Sequence, residues 1–388
     1  MQWFSFDNRV GKNRFSWSSW GASLISATVE NATPTNVVLT FPSAKSLVDT
    51  DFTCTVNGIA RVISSASWTG GVLTLVLSSA IIYSDDVVVA FVETGGTTAI
   101  TNNVAAQIVT TVITTGNAQT LSLGLLDVKA GETVTVDWGD SSTTDYTEIG
   151  NGSARTHLYA TTDTFTVKIS NSLAITSINW NDSKLRVNSS MYKQCGSNLT
   201  SVSHSTALTT PVINSADMTH LTLSYQLSLF FTQAGTYTIN SDHFKAYTLS
   251  YRLSLYFSQA GTYTINSDHF KAYTLSYQLS LNFTQAGTYT ITRSDFSGFI
   301  RVATVSINMG LLAADVDKIL LGFYDAFPSK TNTGGTITLT GNEAPTGTYQ
   351  AQVSPTTGKE AAYELLNDSG EVSALHWATI TVQGGGTP

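Results

Sequence analysis

The residues of this chain best suited to chemistry come as a copied pair. Asp242-His243 returns as Asp268-His269, 26 positions on, and Asp217 and Asp295 stand one such interval before His243 and after His269. If the copies stack, imidazoles and carboxylates meet in one column, and these are the donor types that transition metals take. No further His or Cys completes a ligand set, so the column reads as a solvated ladder of copied turns, and neither a metal nor a cofactor is expected. His157, with Asp137 and Asp140, is a second candidate, acid–base in type. It falls within a Gly-containing turn, where such side chains act as structural hydrogen-bonding groups. No GxSxG, HExxH, Walker or GxGxxG pattern occurs in a usable context. Paired carboxylates could hydrolyse glycosides across a repeat face, but the residues the pattern turns outward are Thr, Ser and Gln. No catalytic residue is assigned and the chain is expected not to be an enzyme.

The elements that must hold these residues are strands. With 388 residues the chain has room for about two to four domains. Thr, Ser, Val and Gly dominate while charged residues make up 12%, a balance that favours strands and turns. A net charge of −8 and the lack of any basic run argue against nucleic acid or an anionic membrane as partner. Cys54 and Cys195 are too far apart in sequence for a disulfide to be expected. The first residues lack the continuous apolar core of a secretory signal, and no stretch reaches the length of a membrane span.

Residues 1–25 carry Trp3, Phe4, Phe6, Phe15, Trp17 and Trp20 with Arg9 and Arg14 among them, showing neither clean alternation nor a helical stripe. Large aromatics and Arg are what buried interface cores favour, so this segment is expected to anchor the chain in a partner protein or another subunit; the alternative is that it folds back on the next domain. From 26 to 110, short alternating runs (NVVLTF, FTCTV, RVISSASW, VLTLVLS, DVVVAFVE) form a meander, with hairpin turns predicted at Asn57-Gly58 and Gly70-Gly71. In its order of motifs, from VVLTF through DFTCTVNG and SASWTGGVLTLVLSSAI to ITNN, this stretch resembles SwmB-type immunoglobulin-like domains of bacterial surface and phage structural proteins. Residues 111–172 resemble a PKD-type sandwich, carried by Val136-Asp137-Trp138-Gly139-Asp140 and by His157-Leu158-Tyr159-Ala160 before TFTVKIS. Both resemblances imply spacer or adhesion modules. Ser141-Ser142 stands where the second family often has another Gly, a departure from the family's turn.

A repeat of 26 residues runs through 173–309: Val187-Asn-Ser, Ile213-Asn-Ser, Ile239-Asn-Ser, Ile265-Asn-Ser and Ile291-Thr-Arg mark about five rungs. The nineteen residues 233–251 recur without change at 259–277. A fixed period of this length is the signature of a solenoid. The run Phe244-x-x-Tyr247-x-Leu249-x-Tyr251-x-Leu253 resembles the leucine-rich-repeat core, with Tyr and Phe in place of Leu and without that family's Asn after the strand. Alternation predicts Tyr247, Leu249, Tyr251 and Leu253 in the core. It turns four columns outward: Thr222/Thr248/Thr274, Ser224/Ser250/Ser276, Gln226/Arg252/Gln278 and Ser228/Ser254/Ser280. Near-identical copies differ at Gln226/Arg252 and Phe230/Tyr256/Asn282, a pattern that both solvent-side variation and drift after duplication explain. The candidate ligand-binding residues are therefore Gln226, Arg252, Gln278, Ser224, Ser250, Ser276 and Thr248.

From 310 to 388 the texture changes to helix at 311–327, strand at 336–341, helix at 358–368 and strand at 377–382, resembling the α/β unit that closes such arrays in phage-encoded proteins. The fold expected is mainly β: two immunoglobulin-like β-sandwiches in tandem, a leucine-rich-repeat-like solenoid and a small α/β cap. Together the resemblances imply a non-enzymatic phage virion protein, such as a capsid decoration protein, head fibre or tail fibre. It would dock on capsid or tail proteins by its N-terminus, contact a host-surface glycan or protein, and form a homo-oligomer, commonly a trimer in such fibres. The alternative is a bacterial surface adhesin or secreted binding protein; a glycan-degrading enzyme is a third reading.

Overall fold

Where apolar and polar residues alternate in this chain, strands form, each burying one face. The computed structural model describes residues 24–42, 47–83, 85–92, 96–147, 155–186, 188–206, 211–329, 334–367 and 376–383. The expected anchor residues Trp3, Phe4, Phe6, Arg9, Arg14, Phe15, Trp17 and Trp20 lie outside the described residues. The protein is mainly β and divides into two compact units, Met1–Gln107 and Ile108–Pro388.

In the first unit, the strands Ile63–Thr69, Val72–Leu77, Asn36–Thr40, Ser26–Glu30 and Thr101–Asn103 form one sheet in that spatial order. Ile59–Arg61, Phe52–Val56, Val87–Phe91 and Thr97–Ala99 form a second. The buried positions of both sheets, among them Val37, Leu39, Leu73, Leu75, Phe52, Val56, Val87 and Val89, make a single core. Both predicted hairpins are present. Asn57 and Gly58 have φ of 52° and 76°, the two left-handed residues a type I′ turn requires, and Val56 pairs with Ile59.

The second unit begins with a five-stranded sheet of Thr143–Tyr146, Val134–Asp137, Thr164–Ser170, Gln107–Ile113 and Leu185–Arg186 in spatial order, antiparallel at Val134–Asp137 and at Leu185–Arg186. A nine-stranded sheet follows. Leu125–Val128 lies antiparallel to Ile175–Trp180. From there Ser201–Thr206, Gln226–Phe231, Arg252–Phe257, Gln278–Phe283, Thr304–Asn308, Thr336–Leu339 and Thr379–Val382 add in parallel. A smaller parallel sheet holds Val212–Asn214, Thr236–Asn240, Thr262–Asn266 and Thr288–Thr290. In the large sheet, partners such as Gln226, Arg252 and Gln278 are 26 residues apart; in the small one, Ile239 meets Tyr263, 24 residues on. The slip is an even number, so buried residues still meet buried residues.

One hydrophobic core runs from Ile108 to Val382, without a break at 172/173 or 309/310, where the sequence reading places boundaries. The first junction is interlocked: Leu125–Val128 pairs forward onto the parallel ladder, while Leu185–Arg186 pairs back onto Gln107–Ile113. At the second, the helices Ala313–Ala326 and Gly358–Asn367 form the crossovers that bring Thr336–Leu339 and Thr379–Val382 into the same sheet. Among the described residues no helix is long and apolar enough to cross a membrane. Cys54 and Cys195 are both buried and form no disulfide.

Candidate functional site: the outward face of the repeat ladder

Each letter of Ile-Asn-Ser has a separate task. Ile239 and Ile265 are fully buried. The Asn240 and Asn266 side chains accept from the backbone N–H two residues on (3.0 and 3.1 Å), starting the 3₁₀ turns Ser241–Phe244 and Ser267–Phe270. The Ser hydroxyl reaches the following rung, where Ser215 and Ser241 Oγ accept from the Asn240 and Asn266 N–H groups (2.9 and 2.8 Å). The same hydroxyls meet the Asp/His column. Ser189 donates to Asp217 (2.6 Å) and Ser267 to Asp295 (2.5 Å), while Ser215 and Ser241 meet Nδ1 of His243 and His269 at 2.7 and 2.9 Å.

The copied Asp-His pair is thus drawn into the stacking of rungs. Lys193 and Lys271 neutralise Asp217 and Asp295, each at 3.2 Å, and His269 Nε2 lies 2.9 Å from Asp242. Burial holds the His243 imidazole below its ordinary value, against the opposing pull of Asp242. Among the described residues no group of three or more His, Cys, Asp or Glu is arranged to hold a metal ion.

His157 and Asp140 meet at 2.7 Å, but the pair closes a structural turn. The imidazole lies flat on Trp138 (4.7 Å between centroids, 8° between planes), and Tyr159 donates to the Trp138 carbonyl at 2.9 Å. Partial burial opposes ionisation of Asp140, yet hydrogen bonds from Ser142 and His157 hold its carboxyl below the usual range. Asp137 accepts from the Gly139 N–H. These contacts tie the turn to the strands around it.

The sequence-predicted ligand-binding residues do come together. Gln226, Arg252 and Gln278 are consecutive register partners at the start of their strands and are partly exposed. Ser224, Ser250 and Ser276 form an exposed column in the segment just before, tied by Ser250 N–H to Ser224 O (3.0 Å) and Ser276 N–H to Ser250 O (2.9 Å). Thr248 is exposed, two residues further back. Ser228 and Ser254 are partly exposed, whereas Ser280, expected at the surface, is only 8% exposed.

Tyr251 corrects the alternation argument. Expected in the core, it lies instead at the surface between Tyr225 and Tyr277, with centroids 4.9 and 5.0 Å apart and planes within 8°. The spacing held no sign of it: Leu249 and Leu253 are both buried and four residues apart, an interval alternation also allows, but the chain turns a corner between them, leaving Ser250, Tyr251 and Arg252 outside together. A second aromatic pair, Phe230 and Tyr256, stacks at 4.3 Å on the far side of the serines. The Arg252 guanidinium lies 4.8 Å from the Tyr277 ring centre and 5.9 Å from that of Tyr251, and its Nε is buried without a hydrogen-bond partner. Comparison of the chain with protein-family models, with curated proteins and with solved structures gives no match in any of the three.

Proposed function

We propose that this chain is a non-enzymatic structural protein of a phage particle, of the decoration or fibre kind, which displays a leucine-rich-repeat-like solenoid toward the host surface. Two immunoglobulin-like modules precede the solenoid as spacers, and residues 1–25 dock on capsid or tail proteins. The observation that carries the reading is where the copies differ. Gln226/Arg252/Gln278 and Phe230/Tyr256/Asn282 vary in outward columns, while Leu227, Leu253 and Leu279 beneath them do not change. A fixed scaffold under a changeable face is what a recognition surface needs. The titratable groups with the shortest contacts support the same reading, since they are engaged in stacking and turns.

The test is mass spectrometry of purified particles from a lysate in which the protein is made, with the full chain and with a chain lacking residues 1–25. The full chain is expected in stoichiometric amounts on particles, and the shortened chain folded, soluble and absent from them. A full chain missing from particles would overturn the proposal; incorporation of the shortened chain would remove the anchor from it.

A further inference from the structure

The strongest unassigned feature is the strip between the two aromatic ridges. Tyr225, Tyr251 and Tyr277 bound it on one side, and Phe230 and Tyr256 on the other. Within a strand, Arg252 and Tyr256 are four residues apart, about 13 Å, and successive rungs are about 4.8 Å apart. The short side chains of Ser228, Ser254 and Ser280 make the floor, and register runs directly from one to the next. The central tyrosine is shielded by its neighbours, but the ends of the stack are open. Tyr225 and Tyr277 are 46% and 41% exposed, next to the small residues Thr200 and Ala303 in the adjoining rungs. Phe230, 43% exposed, has Ser205 beside it in the rung before.

One charge stands in this strip. Arg252 occupies the position where both neighbouring rungs carry Gln, and no carboxylate of the described residues pairs with it. Its guanidinium is instead held against two tyrosine rings with Nε withdrawn from water. A partly desolvated, unpaired guanidinium is costly, and a planar carboxylate satisfies it with two parallel hydrogen bonds. Across the strip, next to Tyr256, Asn282 Oδ1 is also buried without a partner, an acceptor for a hydrogen bond from a hydroxyl. Open aromatic faces, hydroxyls and amides in a shallow row suit the C–H faces and hydroxyls of sugars. We infer that this strip binds a carboxylate-bearing polysaccharide, with Arg252 on the carboxylate, Phe230 and the end tyrosines against sugar rings, and Gln226, Gln278 and the serines on hydroxyls. The inference rests on the display reading and names its ligand class.

The test is titration calorimetry of the full chain with oligomers of galacturonate, alginate and hyaluronan, each as the free acid and as the methyl ester. At least one acid is expected to bind, at least tenfold tighter than its ester and more weakly as salt is raised. Arg252→Gln installs the residue of the adjoining copies, so folding is kept, and it should bring the acid down to the affinity of the ester. Phe230→Asn, after Asn282, should weaken both. Failure of the wild-type chain to bind any of the three acids, or an undiminished preference for acid in Arg252→Gln, overturns the inference. So does a change in oligomeric state by sedimentation in either variant without any change in sugar binding, which would make the strip a contact between copies of the chain. Presence on particles is measured separately, so a chain found on particles that binds no uronate sinks this inference and leaves the display reading standing.

Discussion

The Tyr192 hydroxyl stands 2.7 Å from Nδ1 of His204, with both rings sealed in the core. His204 fills the column position held by Leu229, Leu255 and Leu281 in the next rungs, at the point where antiparallel strands give way to the parallel ladder. Burial pushes the imidazole down to about 3 and the phenol well above its ordinary value, so the pair is neutral at pH 7.

A pH dependence follows. Between the ordinary histidine value of 6.5 and about 3, the unfolded chain binds a proton at His204 that the folded chain does not. Stability of the second unit should therefore fall as pH is lowered through that window, by up to about 1.4 kcal/mol per pH unit from this group. Urea midpoints at pH 7, 5 and 4 would measure it. The double variant Tyr192→Phe/His204→Leu, which gives the position its neighbours' residue, should flatten the slope; an unchanged slope would assign it to carboxylates.

Ser241→Ala removes the acceptor of the Asn266 N–H and the partner of His269 Nδ1 in one change. An unsatisfied buried N–H costs about 1–3 kcal/mol. A loss of that size in equilibrium unfolding is expected; no loss would show that the serine ladder is dispensable.

Gly261 faces the preceding rung so closely that an added Cβ would lie 2.8 Å from both Cβ and O of Tyr237. Gly261→Ala should cost about 1–3 kcal/mol by overpacking. Gly58→Ala in the first unit is the contrast: nothing crowds it, and its penalty comes from φ alone. Thermal unfolding of the two variants would separate crowding from backbone strain.

Tyr159→Phe deletes the hydrogen bond to the Trp138 carbonyl while leaving the ring stacked at 4.2 Å on Phe165. A loss of about 1 kcal/mol is expected. Near-ultraviolet circular dichroism of Trp138 should stay native, since the His157 stack remains.

Much of this architecture was legible in the letters. The hairpins at Asn57-Gly58 and Gly70-Gly71, the 26-residue period, the outward Gln226/Arg252/Gln278 column and the C-terminal helices and strands all follow from local chemistry: turn residues, spacing and alternation. Two features did not. The tyrosine stack was hidden because Leu249 and Leu253, four residues apart, satisfy alternation even though the chain turns a corner between them. The shared core across residues 172/173 was hidden because pairing of Leu185–Arg186 back onto Gln107–Ile113 depends on contacts far apart in sequence, which no local window holds.

The copies meet 26 residues apart in one sheet and 24 in the other, and both offsets are the same from one copied rung to the next. Adding or removing one entire copy therefore closes both registers again, with the non-repetitive ends undisturbed. Unequal crossing-over between the segments that encode the copies would make that change in a single event. The reach of the ladder is thus a heritable quantity that moves in whole rungs, and lineages of this protein can be compared by their rung number.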